Sequence, residues 1–159
     1  MSTNIASIGH GRALHLIDAE NLCGASLLDI RAVQRLRAEY MASVPVGPKD
    51  QMVLACAHSS GAALGAGWPG GQHKWRSGPD GADICLARTV VEDNIAHRFE
   101  HVYMGSGDGG LAPFAAHLAA QGVHVTAVTR MGSLSPKMLL ATSDVIYLEG
   151  REIMALRAA

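Results

Sequence analysis

The sequence predicts an α/β fold: a three-layer α/β/α sandwich built on a mainly parallel sheet. Three observations carry that expectation. Short apolar runs alternate along the chain with stretches of helical hydrophobic spacing, the rhythm of right-handed βαβ units packed on both faces of a sheet. The first apolar run, Ala13, Leu14, Leu16 and Ile17, passes directly into Asp18-Ala19-Glu20-Asn21, as a buried parallel strand does where it ends at a polar mouth. Size is the third: 159 residues, 48% of them hydrophobic, suit one domain (residues 1–159) that buries roughly 68–70% of its unfolded surface without staples.

Each element follows from its pattern. After the first strand, residues 25–41 place Leu27, Leu28, Ile30, Val33, Leu36 and Tyr40 at helical spacing, with Arg and Glu between them. Residues 43–49, with two prolines and a glycine, form the return loop to a buried strand over 51–57 (QMVLACA), which ends at His58-Ser59-Ser60. Residues 61–81 read as a long Gly- and Pro-rich irregular stretch carrying Trp68, His73, Lys74, Trp75 and Arg76. A helix is expected over 82–92, with Asp83 in its first turn, and a strand over 101–105 (HVYMG). Then come a helix over 111–121, a strand over 123–129, and a helix within 133–142 delayed by Pro136. A last strand spans 145–148, followed by a terminal helix or tail over 149–159, and no internal repeat interrupts the series.

Composition excludes several classes. Thirteen basic and fourteen acidic residues give a net charge of −1, so no global positive field draws in nucleic acid and any such binding rests on a local patch. Cys23, Cys56 and Cys85 are odd in number and set among apolar residues, which suits reduced packing thiols. The histidines lack zinc-ligand spacing. No apolar run approaches the ~18 residues of a membrane helix. Residues 1–12 lack the basic start and apolar middle of a signal peptide, so a cytoplasmic protein is expected.

The chemistry-bearing residues gather at expected strand ends. In an open α/β sheet, ligands bind beyond the carboxyl ends of the strands, where the order of strands reverses. Asp18 ends the first strand, Asp108 follows the third in Gly105-Ser106-Gly107-Asp108-Gly109-Gly110, and Asp83 opens the helix after the long irregular stretch. Three carboxylates in one cleft repel unless a cation joins them, and hard cations such as Mg²⁺ take oxygen ligands. Each acid also has a structural reading: Asp18 as a turn cap, Asp108 as a helix N-cap, Asp83 as a favourable first-turn charge. Asn21 either orders the site or bonds its own turn. The segment His73-Lys74-Trp75-Arg76 combines cations with an aromatic face suited to nucleic acid, or else covers a sheet edge. Arg130, beyond the 123–129 strand, is expected by the same rule to face the crevice and neutralise phosphate, whereas His58 reads as a polar strand end.

Four segments, in order, resemble the NYN-domain family of PIN-like metal-dependent ribonucleases: Ile17-Asp18-Ala19-Glu20-Asn21-Leu22, Gly81-Ala82-Asp83-Ile84-Cys85-Leu86-Ala87, Gly105 to Phe114, and Ala141 to Leu148. The similarity covers about residues 13–150. It implies a PIN-like fold, dependence on Mg²⁺ or Mn²⁺, and action on RNA, single-stranded or structured. Asp18, Asp83 and Asp108 would be the metal ligands, with Asn21 ordering the site; a homodimer is compatible with the resemblance. One departure matters. The family's third motif is S-G-D-x-D-F, and its second acid is here Gly110, followed by Leu111. A site short of one carboxylate binds its ion more weakly. Glu20, Asp80 and Asp144 are the candidates to compensate, Asp144 the poorest because it precedes its strand and so belongs at the opposite end of the sheet. The expected function is metal-dependent hydrolysis of RNA phosphodiesters, and the alternative is a weak or inactive domain that binds RNA or a protein. A binder of small phosphate ligands, using the glycines around Asp108, ranks third.

Overall fold

The structure of the protein, a computed structural model, describes residues 11–149. The elements in order are β1 (Ala13–Asp18), α1 (Ala19–Cys23), α2 (Ile30–Ser43), β2 (Gln51–Ala57), α3 (Gly61–Gly67), β3 (Gln72–Arg76), α4 (Gly81–Glu92), α5 (Ile95–Arg98), β4 (His101–Gly105), α6 (Ala112–Ala120), β5 (His124–Thr129), α7 (Pro136–Ala141) and β6 (Asp144–Tyr147). The strands form one parallel sheet in the order β3-β2-β1-β4-β5-β6. The chain therefore winds outward from β1 to β3, crosses back through α4 and α5, and winds outward again from β4. The reversal lies between β1 and β4, which pair from Ala13↔His101 to Ile17↔Gly105.

Side-chain alternation along buried strands builds two cores, one on each face. Leu14 and Leu16 join Val53, Val102, Met104 and Val125 under α4, α6 and α7. Ala13 and Ile17 join Leu54, Cys56, Tyr103 and Val128 under α1, α2 and α3. This is the expected three-layer sandwich. All six residues of β1 are buried, including His15, a polar residue in the middle of the central strand. Its imidazole meets Tyr40 Oη at 2.7 Å and Asp50 Oδ2 at 3.0 Å and stacks on Tyr103 with ring centroids 4.7 Å apart. Burial pushes the His15 pKa down in spite of Asp50, so the ring is neutral at pH 7.

Strands over 51–57 and 101–105 and the helix of α4 lie where the pattern put them, and the remaining differences have local causes. Residues 61–81 are not one irregular stretch: they hold α3 and β3. Strand β3 lies at the sheet edge, so its His, Lys and Arg side chains are partly solvated and no apolar run announces it. The helix expected over 25–41 starts at Ile30, because the Asp29 carboxylate caps it by accepting from Ala32 N at 2.7 Å. Helices α1 and α5 have only five and four residues, too short for a periodic signal. A 3₁₀ turn over Gly109–Leu111 replaces the start of the 111–121 helix. Ser135 caps α7 with Pro136 in its first turn, as anticipated. Strand β6 begins and ends one residue before the expected 145–148. The tail expected after residue 149 and the segment before residue 11 lie outside the described residues. Among the described residues, no helix is long and apolar enough to cross a membrane.

Candidate functional site

Helix α1 is short because it works as a staple at the sheet's carboxyl edge. Asp18, the last residue of β1, caps it by accepting from Asn21 N at 3.1 Å. Asn21 Oδ1 accepts from Gly107 N at 3.1 Å, joining the end of β1 to the segment beyond β4. Glu20 accepts from Ala57 N, the last residue of β2. One turn of helix thus holds three strand ends in place. Asp108 is fixed similarly, its Oδ1 accepting from Gly110 N at 2.8 Å while its own amide donates to Ser106 Oγ at 3.2 Å. In both acids the cap engages Oδ1.

Asp83 arrives from the first turn of α4. Its carboxyl lies within hydrogen-bonding reach of both Asp18 and Asp108, so the three acids named from the sequence meet at the switch point between β1 and β4. Burial, then the neighbouring charges of Asp18 and Asp108, push the Asp83 pKa up to about 8. Burial also raises that of Asp18, which is only 6% exposed. Asp83 Oδ1 is buried with no hydrogen-bond partner. The acids border an open crevice of about 650 Å³ that also includes Glu20, Asn21, Asp80 and Ser133.

The residues suit a hard divalent cation in donor chemistry: all oxygens, mutually repelling when ionised, one of them without a partner. As they stand, the carboxyls turn toward one another, and among the described residues no three His, Cys, Asp or Glu side chains already surround a common metal position. A cation would take the place of the proton that now relieves their repulsion. Gly110 borders this cluster. A Cβ built there lies 3.4 Å from Asp108 Oδ1 and 3.6 Å from Asp83 Oδ2, ordinary contact distances, so an acid at 110 would reach the cluster without a clash. Of the compensating acids, Glu20 and Asp80 line the crevice. Asp144 lies at the amino end of β6 and pairs with His124 Nε2 at 2.5 Å, remote from the site as its position implied.

The expected substrate-binding residues separate. Arg130 does not line the crevice: its Nε donates to Leu22 O and its Nη2 to Glu39 Oε2, each at 2.5 Å. It clamps the end of β5 to α1 and α2, because Glu39, 91 residues distant in sequence and buried, needs a counter-charge. Lys74 turns toward α4, donating to Thr89 Oγ1 at 2.6 Å with Asp93 at 3.8 Å. Trp75 points to the opposite face against Gly61 and is half exposed, since neighbours on a strand alternate. Arg76, the exposed last residue of β3, is not among the lining residues either, but its backbone packs against Gly81, which is. His58, itself exposed, opens a 3₁₀ turn after β2. Ser133 at the crevice and the buried Glu39 carried no local signal, since both owe their place to long-range contacts. The three cysteines are free, and burial pushes Cys23 to about 11 and Cys56 to about 12, which makes both inert thiols.

No protein-family profile matches the chain, and no curated protein matches it. Among solved structures, it is similar to the crystal structure of a protein of unknown function from Vibrio parahaemolyticus RIMD 2210633. The two share 16% sequence identity over 87% of this chain and 93% of that one, with a TM-score of 0.56. At that identity the likeness is one of fold alone: this chain is an α/β protein with a six-stranded parallel sheet between layers of helices.

Proposed function

We propose that this protein is a Mg²⁺- or Mn²⁺-dependent ribonuclease of the PIN-like, NYN-domain type. The observation that carries the reading is the meeting of Asp18, Asp83 and Asp108, from three separate chain segments, at the carboxyl-end switch point, with Asp83 held at a pKa of about 8. These three carboxylates would hold the ion, and Glu20 and Asp80 lie near enough to the same crevice to assist. When bound, such an ion polarises a phosphoryl oxygen and lowers the pKa of water. The chain's own contribution is placement. Asn21 keeps Asp18 aligned through its backbone amide; its Oδ1 is engaged by Gly107, so its Nδ2 hydrogens remain to donate to a phosphate oxygen or water. The carboxylates left over from ligation accept a proton from an attacking water. Incubation of the protein with single-stranded RNA in Mn²⁺ should give cleavage that EDTA abolishes and Asp18→Asn removes. Undiminished cleavage by Asp18→Asn refutes the assignment.

Gly110 favours a second reading, a weak or inactive domain of the same type that binds RNA or a protein. Because an acid at 110 fits beside Asp83 and Asp108, Gly110→Asp separates the two. A large gain in cleavage supports the weak form, and an active parent that gains nothing argues against it.

A further inference from the structure

Two cations flank the acid floor of the crevice. Arg76 ends β3 on one side: its Cβ is 3.5 Å from a Cβ built on Gly81, which lines the crevice. A side chain on Gly81 would collide with the Arg76 carbonyl, so the two segments are pressed together and the backbone of residue 76 is fixed beside the crevice. Lys137, in the first turn of α7, stands on the other side. Its Cβ is 3.7 Å from a Cβ built on Gly109, the residue between Asp108 and Gly110. Strand β3 is one edge of the sheet and α7 leads into the other, so the two cations approach the β1–β4 switch point from opposite directions. Both residues are exposed, and among the described residues neither side chain makes a hydrogen bond or ion pair. Other cations are taken up structurally: Lys74 by Asp93, Arg88 by Glu92, Arg130 by Glu39.

We propose that Arg76 and Lys137 form a phosphate clamp for single-stranded RNA lying across the crevice, gripping phosphates on either side of the one above Asp18, Asp83 and Asp108. The proposal rests on the ribonuclease reading and names how that site takes its substrate. A chain of net charge −1 has no long-range pull on a polyanion, and the acid floor repels one, so affinity must come from local cations that contact the backbone. Long, unpaired side chains at the rim reach phosphates without entering the floor. The floor itself selects for a strand over a duplex. Asp18 is 6% exposed at the bottom of a crevice bordered by residues 78–81 and by Ser133, and a single backbone approaches a buried carboxylate more closely than a duplex does. Nothing in the clamp reads a base, so binding is sequence-tolerant.

The test is fluorescence anisotropy of a labelled short oligouridylate in Mg²⁺ across a salt series. All proteins carry Asp18→Asn to suppress hydrolysis, with Arg76→Gln, Lys137→Gln, both together, or Lys49→Gln, an exposed lysine before β2 at the opposite end of the sheet, as control. Each rim substitution should lower the slope of log affinity against log salt by about 0.7, and the pair by about 1.4 with about tenfold weaker binding at low salt. A stable hairpin of equal length should bind more weakly than the single strand. Absence of RNA binding, an unchanged slope in the double variant, or an equal loss with Lys49→Gln overturns the clamp. Cleavage by the otherwise unmodified protein in Mn²⁺ is read separately. Cleavage with a dispensable clamp leaves the ribonuclease reading standing, whereas salt-dependent loss of binding without any cleavage supports the clamp and removes that reading.

Discussion

Replacing Asp83 by asparagine should make the metal-free protein more stable. In the folded chain this carboxyl is held near a pKa of about 8, against an ordinary 3.8, by burial and by the charges of Asp18 and Asp108. A native carboxyl with raised pKa binds its proton more tightly than the unfolded one, so stability falls as pH rises from 3.8 through about 8. Each tenfold change in proton affinity is about 1.4 kcal/mol. The group is only half buried and water screens most of that penalty, which leaves about 1–2 kcal/mol at pH 8. Asparagine has no proton to lose, and its amide donates to both neighbouring carboxylates. In EDTA at pH 8 the variant should therefore melt roughly 3–6 °C above the parent, with the gap closing toward pH 4. Saturating Mn²⁺ should reverse the order. At a hundredfold excess over its Kd an ion stabilises the parent by about 2.7 kcal/mol, and the variant, short of one ligand and with its Kd raised about a hundredfold, should gain only about 0.4 kcal/mol. Thermal melts at two pH values with and without Mn²⁺ read all four states. An Asp83→Asn protein that melts at or below the parent in EDTA at pH 8, or that keeps the full Mn²⁺ shift, refutes the account of these acids as a destabilised cation site.

Arg130→Ala should destabilise by about 2–3 kcal/mol, because it leaves the buried Glu39 without its counter-charge, yet leave cleavage per folded molecule intact. Lost cleavage at unchanged stability would return Arg130 to the crevice. At Asp50, burial pushes the pKa up, but hydrogen bonds from His15, Ala13 N and Gly47 N outweigh it and hold the carboxyl below its ordinary value. That stabilisation is full above pH 3.8 and lost as pH falls through the lower folded value. Asp50→Asn should thus cost about 1.5–3 kcal/mol at pH 7 and much less at pH 3 in urea titrations, and an equal cost at both would contradict the sign. Gly81→Ala should cost about 1–3 kcal/mol and loosen the junction of β3 and α4, read as faster amide exchange in β3. A neutral substitution would mean that the Arg76 carbonyl yields.

Much of this fold is legible along the chain because buried parallel strands and amphipathic helices repeat on their own periods. Strands β2 and β4 and helix α4 each bury a whole run or stripe, so their pattern survives without knowledge of neighbours. Strand β3 does not, since an edge strand wedged between glycine-rich segments has His, Lys and Arg where a central strand has Val and Leu. Helix α1 was hidden for a different reason: its five residues are held by bonds to Ala57, Gly107 and its own cap rather than by an apolar stripe.

The sequence by itself determined that Asp18 ends a strand, that Asp108 follows one and that Asp83 opens a helix, because a strand tip and a helix start are local events written in adjacent residues. Which acids share a crevice was decided only by the tertiary structure. That β1 pairs with β4 rather than another strand, that Gly110 faces Asp83 and Asp108, and that Arg130 answers Glu39 while Arg76 and Lys137 are left at the rim all depend on register and on contacts between distant segments. Charge marks a residue as a candidate ligand or phosphate contact. Its partner, supplied by another part of the chain, decides whether that charge is available.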